Sequence, residues 1–441
     1  MNQGSNAGLR QAIAEASGTA IRKVVPRLKA NWRSSEWLRH GNIYRADAVG
    51  RIQSDVQAGR TFRHSQLSEY VAASAIVHCF DGWSFLGHAL EAELTGDPDV
   101  ARHLGYYAEL RAAMAILASE GIGVFRQQHI VVTDAGKCEL LDEMGSTHKF
   151  AWDALQAWAG LDKGRRVVLQ VIKPAGISLV DWLGQASSGS RHIATNWLLQ
   201  WGLDLSRLAV DRTARNIASY RPTTFTTPGP RAVEDTVRGI LDFWRVCDPG
   251  PVGGFPILDG YLLRLSLGGL FSPLSKKQYE KHLSTILANI RPRVNPNGRW
   301  EIFLAYDNVK DRPALLVDAN GKANAHDVSH SKQVLARATL LLRLATGCSA
   351  SLLSEAEPGM QSDLSFWRKD ASVRQRLWKN SGPPASSIDL WSDVASASSG
   401  LDSWLRKDGS SVCHHALWTQ QAVSASILTS AERVFLWGVG L

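Results

Sequence analysis

Two apolar-periodic runs joined by one tight turn constrain this 441-residue chain more than any other feature. From Ser65 onward, Leu67, Val71, Ile76, Phe80, Phe85, Leu86 and Leu90 recur at helical spacing as far as Thr95-Gly96, with Gly82 the expected point of interruption. The second run is punctuated at both ends. Asp97 carries a helix-capping side chain, Pro98 suits a first turn and Gly121 suits a C-terminal exit, while Leu104, Tyr107, Ala108, Arg111, Met114 and Ala118 repeat between them. A connection as short as Thr95-Gly96 makes the two helices antiparallel neighbours, which predicts a helical bundle.

The length exceeds what one core usually organises, so two or three domains are expected. Residues 1–60 read as a basic N-terminal helical arm and 61–222 as the bundle. Residues 223–256 read as a linker, on the loop composition of Arg221 to Pro230 and Cys247 to Pro256. Within the bundle, Gly123 to Phe125 and Ile130 to Val132 suggest a loop or brief strand, and Arg165 to Lys173 fits either a buried strand or an apolar helix. A second domain is expected over 257–350. There Trp300 to Ala305 and Ala314 to Val317 read as a small β-hairpin between the turns at Asn297-Gly298 and Asn320-Gly321. Residues 351–441 form a Trp-rich helical C-terminal region. The fold class is therefore mainly α: an antiparallel bundle with a second, mostly helical domain carrying a small hairpin.

Charge narrows the partners. Lys and Arg number 49 against 41 Asp and Glu, a net +8, and the excess gathers between Arg10 and Arg63. There Arg27, Lys29, Arg33 and Arg39 are candidate RNA-phosphate ligands, although a solvated helical face explains them equally well. The 16 Trp fit a large core, a partner surface, or both. Five dispersed cysteines form no CxxC pair, pointing to a reducing compartment without a disulfide framework. No long apolar run and no apolar leader segment are present, so a cytoplasmic location without membrane partners is expected, with an organelle transit segment the minor alternative.

Several chemistries lack their motifs. There is no GxxxxGK[ST] loop, no glycine fingerprint and no GxSxG elbow, and nothing calls for a cofactor. His326 and His330 are spaced for a shared helix face, but they flank a loop and Asp327 reads as a cap, so no metal site is assigned. The densest set of phosphate-binding groups lies from Arg212 to Pro222, where Pro222 fixes a helix terminus. Arg212, Arg215, Asn216, Tyr220 and Arg221 there supply guanidinium, amide and phenol donors. RNA is cleaved by attack of its own 2′-hydroxyl, so such a site has only to orient the backbone, stabilise charge and move protons. Arginines complementing a helix C-terminus are the structural alternative.

Gly105 to Ala118, with its aromatic pair Tyr106-Tyr107 and the later Gly121 and His129, resembles the corresponding helix of HEPN-superfamily proteins, which precedes a histidine-bearing loop. A later helix of that superfamily carries Arg-polar-x-x-x-His, and Arg215 to Tyr220 matches its arginine and polar residue while Tyr220 stands in the histidine position. The resemblance covers about residues 65–222. It implies a helical bundle, often a homodimer, acting as a metal-independent ribonuclease in bacterial toxin or phage-defence systems, with Arg215 and Asn216 in the catalytic pair. Proton transfer then falls to Tyr220 or to a histidine such as His129 or His148, or the bundle only binds. Arg215 and Tyr220 lie about 140° apart around an ideal helix, so both reach one phosphate only if it sits between their faces. The rival expectation is a non-catalytic nucleic-acid-binding or scaffold subunit whose Trp-rich half docks a partner protein, and a metal hydrolase built on His326 and His330 comes third.

Overall fold

Asp97 and Pro98 do what their chemistry suggests. In the computed structural model the Asp97 carboxylate accepts from Val100 N at 3.0 Å, and the helix Pro98–Ser119 (α4) runs from there to a turn at Gly121, whose φ of +87° favours glycine. The structure describes residues 3–141, 144–183, 205–220, 233–271, 274–293, 299–308, 311–321, 330–375, 377–378, 389–408 and 413–441. Upstream, Gln3–Glu15 (α1), Val25–Trp32 (α2) and His64–Leu94 (α3) are helical. Helix α3 passes through Gly82 without a break. A Cβ at Gly82 would stand 2.6 Å from Leu342 Cδ2 and 3.3 Å from Arg111 Cβ, so the glycine serves close approach to neighbouring helices.

Strands Ile122–Gly123 (β1), His129–Val132 (β2) and Cys138–Leu141 (β3) form an antiparallel sheet in the order β1-β2-β3, with Ile122 opposite Val131 and His129 opposite Leu141. The N-terminal segment is fastened to it. Ser17 N donates to Val132 O at 2.8 Å, and Lys163 Nζ donates to the carbonyls of Ile13 (2.5 Å) and Ala16 (2.6 Å) at the end of α1. Residues 3–60 therefore lie against the body, where Leu9, Ile13, Leu28 and Trp32 are buried.

After the sheet come Thr147–Ala159 (α5), Leu205–Tyr220 (α6), Val233–Val246 (α7), Pro256–Phe271 (α8) and Ser331–Ser354 (α9), with shorter helices between and after them. The segment left open between strand and helix is the helix Asp162–Val171. Helix α7 occupies the middle of the span read as linker, burying Val237, Ile240, Phe243 and Trp244. Helix α9 lies against both α3 and α4. Trp83 Nε1 on α3 donates to Thr346 Oγ1 on α9 at 2.8 Å, and one hydrophobic core runs from Leu9 to Leu441.

The hairpin expected in the second half is not there. Trp300 to Phe303 belong to the helix Arg299–Phe303, and Ala314 to Val317 open the helix Ala314–Ala319. The latter starts just after Pro313, and its Leu315 N donates to Asp242 Oδ2 on α7 at 3.2 Å. Helical spacing lets Trp300 and Phe303 cover α8, where the Arg264 guanidinium lies 3.7 Å from the Phe303 ring centroid. The molecule is mainly helical, its small sheet sits in the first half, and no described helix is long and apolar enough to cross a membrane.

Candidate functional site

Helix α6 is held in place by a buried charge. Arg337 on α9 makes a bidentate pair with Asp211, its Nε and Nη2 each 2.6 Å from a carboxylate oxygen, and its Nη1 donates to Ala319 O at 3.3 Å. Glu109 on α4 lies 3.9 Å from the same guanidinium, and all three side chains are buried. Two carboxylates so close in a desolvated site do not both ionise. Burial first, then the Asp211 charge, raises Glu109 well above the ordinary carboxyl range, while Arg337 opposes the shift. The protonated form of Glu109 is thus favoured beside the Asp211–Arg337 pair.

This anchor fixes what lies one turn away. Arg215 follows Asp211 by one helical turn, and Tyr106 precedes Glu109 by three residues, so the pair that docks α6 on α4 also brings Arg215 onto the aromatic pair. The Arg215 guanidinium carbon lies 5.2 Å from the Tyr106 ring centroid and 5.9 Å from that of Tyr107. Its Nε is buried and has no hydrogen-bond partner among the described residues.

Two histidines join this cation. His103 on α4 bonds through Nδ1 to Ser219 Oγ at 2.8 Å, and Ser219 Oγ donates its hydrogen to Arg215 O at 2.9 Å. Since that hydroxyl has one hydrogen, the network assigns the other proton to His103 Nδ1 and leaves Nε2 as the basic nitrogen. On the opposite flank, Tyr106 Oη lies 3.0 Å from His148 Nδ1 and accepts a long bond of 3.4 Å from Trp152 Nε1. Tyr106 therefore donates to His148 Nδ1, and its proton sits on Nε2. Both imidazoles are depressed below their usual range, first by burial and then by the Arg215 charge, with Arg212 adding to the effect on His148. Burial also raises the Tyr106 phenol, which stays protonated as the donor this geometry requires.

The residues singled out in the sequence are distributed unequally. Arg212 and Arg215 are half-buried on α6 and Asn216 is exposed there. Tyr220 is the last described residue of the same helix, its side chain lying outside the described set, and Arg221 lies outside the described residues altogether. The arm cations face other partners. Arg27 pairs with Glu69 at 3.3 Å, Lys29 Nζ donates to the carbonyls of Ala356 and Pro358, Arg33 pairs with Asp363 at 3.4 Å, and Arg39 donates to Asn31 Oδ1 at 2.9 Å. His129 stays away from Arg215. It stacks on Phe150 at 3.8 Å, accepts from Phe125 N at 3.2 Å and bonds Gly145 O at 2.9 Å, and burial pushes it down to about 4.

His103 is the residue that sequence reasoning passed over. Its position one turn before Tyr107 was the available signal, and the two rings do meet, 5.0 Å between centroids. His330 caps α9 in a reciprocal arrangement with Gln333, whereas His326 lies outside the described residues. Among the described residues, no group of three or more His, Cys, Asp or Glu is placed to hold a metal ion. The chain matches no known protein family, no curated protein and no solved structure.

Proposed function

We propose that this protein acts on RNA through metal-independent phosphodiester cleavage at the cluster of Arg215, His103 and His148. One observation carries the reading: two half-buried imidazoles flank a guanidinium held over an aromatic pair, with one basic Nε2 and one protonated Nε2 among them. His103 Nε2 takes the proton of the 2′-hydroxyl as its oxygen attacks phosphorus. His148 is depressed by burial and then by the arginine charges; once a bound phosphate offsets those charges it takes up a proton, which it gives to the departing 5′-oxygen. The products are a 2′,3′-cyclic phosphate and a 5′-hydroxyl. Arg215 stabilises the charge on the phosphorane, and Asn216 and Arg212 lie on the same helix to hold flanking phosphate oxygens.

The same reading includes the HEPN-like character of the bundle and a place in a toxin or phage-defence system, where His103 and His148 take up the acid–base work that the motif otherwise assigns to the position of Tyr220. Incubation with RNA in chelator tests it. Cleavage to cyclic-phosphate ends is expected, falling at least about 100-fold in Arg215→Ala and in His148→Gln, on the scale of single acid–base and charge-stabilising groups. Intact RNA with the wild-type protein rejects catalysis. RNA binding that survives Arg215→Ala without any cleavage supports instead the non-catalytic reading, which is favoured by the fact that both imidazoles already have hydrogen-bond partners.

A further inference from the structure

The antiparallel packing of α3 and α4 leaves one half-buried face on each helix, and the two faces form a seam leading away from Arg215. On α4 the half-buried residues His103, Tyr107 and Arg111 are one turn apart, about 6 Å per step. Opposite them on α3 stand Phe85, Asp81 and His78, also half-buried. Phe85 stacks on Tyr107 with ring centroids 5.6 Å apart and planes at 27°. Arg111 Nη1 donates to His78 Nδ1 at 2.7 Å, leaving the imidazole's Nε2–H as a further donor, and lies 3.9 Å from Asp81. Arg374, exposed on the helix Ser365–Gln375, acts on Asp81 from the flank.

Reading outward from Arg215, the order is cation, stacked aromatic pair, cation. Proteins that bind unpaired strands use this alternation, because phosphates need charge and bases need a π-face, and only unpaired bases expose one. We infer that the α3–α4 seam binds single-stranded RNA, with one nucleobase on the Phe85–Tyr107 pair and the next phosphate on Arg111. This inference rests on the Arg215 cluster as the phosphate site and makes an unpaired strand its substrate. Asp81 is the discordant group. As the carboxylate beside Arg111 it opposes a phosphate there, so its removal should tighten binding.

A fluorescein-labelled eight-nucleotide oligouridylate with 2′-O-methyl sugars tests the seam by anisotropy, because it lacks the 2′-hydroxyl nucleophile and reports binding alone. Arg111→Gln is expected to weaken binding about tenfold and to lower the slope of log affinity against log salt by about 0.7, the value for one phosphate contact on a single strand. Phe85→Leu should weaken it about tenfold with the salt slope unchanged. Asp81→Asn should strengthen it, and Arg111→Lys should restore most of what Arg111→Gln loses. A duplex of the same length should bind more weakly than the single strand. Equal affinity in wild type and all variants, no binding by the wild type, or a preference for duplex overturns the inference, as does movement of Arg111→Gln and Asp81→Asn in the same direction. Loss of affinity confined to Arg215→Ala leaves the phosphate site standing and removes the seam; seam-dependent binding with RNA uncleaved leaves the seam standing and removes the catalysis.

Discussion

His129 and His148 show how differently one residue type behaves under two environments. Both imidazoles are depressed, but His129 is sealed between Phe150, Phe125 and Gly145, whereas His148 faces the cations of α6. The linkage for His129 has a definite sign. The unfolded imidazole takes a proton near 6.5 and the folded one only near 4, so its contribution to stability is complete above 6.5 and is lost as pH falls from there to about 4. At 1.36 kcal/mol per pH unit this amounts to ~3 kcal/mol. Denaturant melts at pH 7 and pH 4.5 should therefore show a smaller loss in His129→Gln than in wild type, and equal losses would show that His129 is not held neutral.

Glu109 carries the opposite linkage. A carboxyl raised above its ordinary 4.5 contributes fully below that pH and loses its contribution as pH rises, because the unfolded chain releases a proton that the fold retains. Gln matches the protonated acid in shape and carries no charge to bury, so it escapes that penalty. Thermal melts of Glu109→Gln should match or exceed wild type at pH 8, by a margin that shrinks at pH 5; a large loss at pH 8 would mean that Glu109 is ionised in the fold.

Between elements, the decisive contact is the docking of α6 on α4 and α9. Arg337 and Asp211 are both buried, so removing one charge leaves the other without its partner. Asp211→Asn is expected to destabilise the protein by about 3–5 kcal/mol in denaturant titration. A change below about 1 kcal/mol would show that the pair contributes little. Residues 300–305 and 314–317, whose turn-flanked pattern predicts paired strands, lie instead in or beside the helices Arg299–Phe303 and Ala314–Ala319. Turn residues around two short apolar runs suggested a hairpin, but Trp300, Phe303 and Leu315 are buried or half-buried through helical spacing against α7 and α8, and packing overrides the local signal.

Across the whole molecule, the halves share one core. Helix α9 comes from far along the chain, yet it fills the groove of the α3–α4 pair and supplies the Arg337 that holds α6. The Trp-rich half contributes to the same interior. Trp244 and Trp437 are fully buried, and Trp367 packs edge-on against Phe80 of α3 with centroids 4.9 Å apart. The arm cations, which the sequence offered as RNA ligands, make bonds within the chain, those of Lys29 and Arg33 joining α2 to the segment from Ala356 to Asp363.

The features legible in the chain before folding are local. The 3.6-residue period, the Asp97 cap, Pro98 and Gly121 specify α4 and its antiparallel pairing with α3, because each acts within a turn or two of chain. The arginine-bearing helix over Leu205–Tyr220 was legible for the same reason. The company Arg215 keeps was not. His103 and Ser219 are 116 residues apart, Tyr106 and His148 are 42, and Asp211 and Arg337 are 126. Local rules say nothing about such pairs. Only the packing of α4, α5, α6 and α9 around one core brings them within a hydrogen bond, and the same burial shifts their protonation away from the values their residue types carry in water.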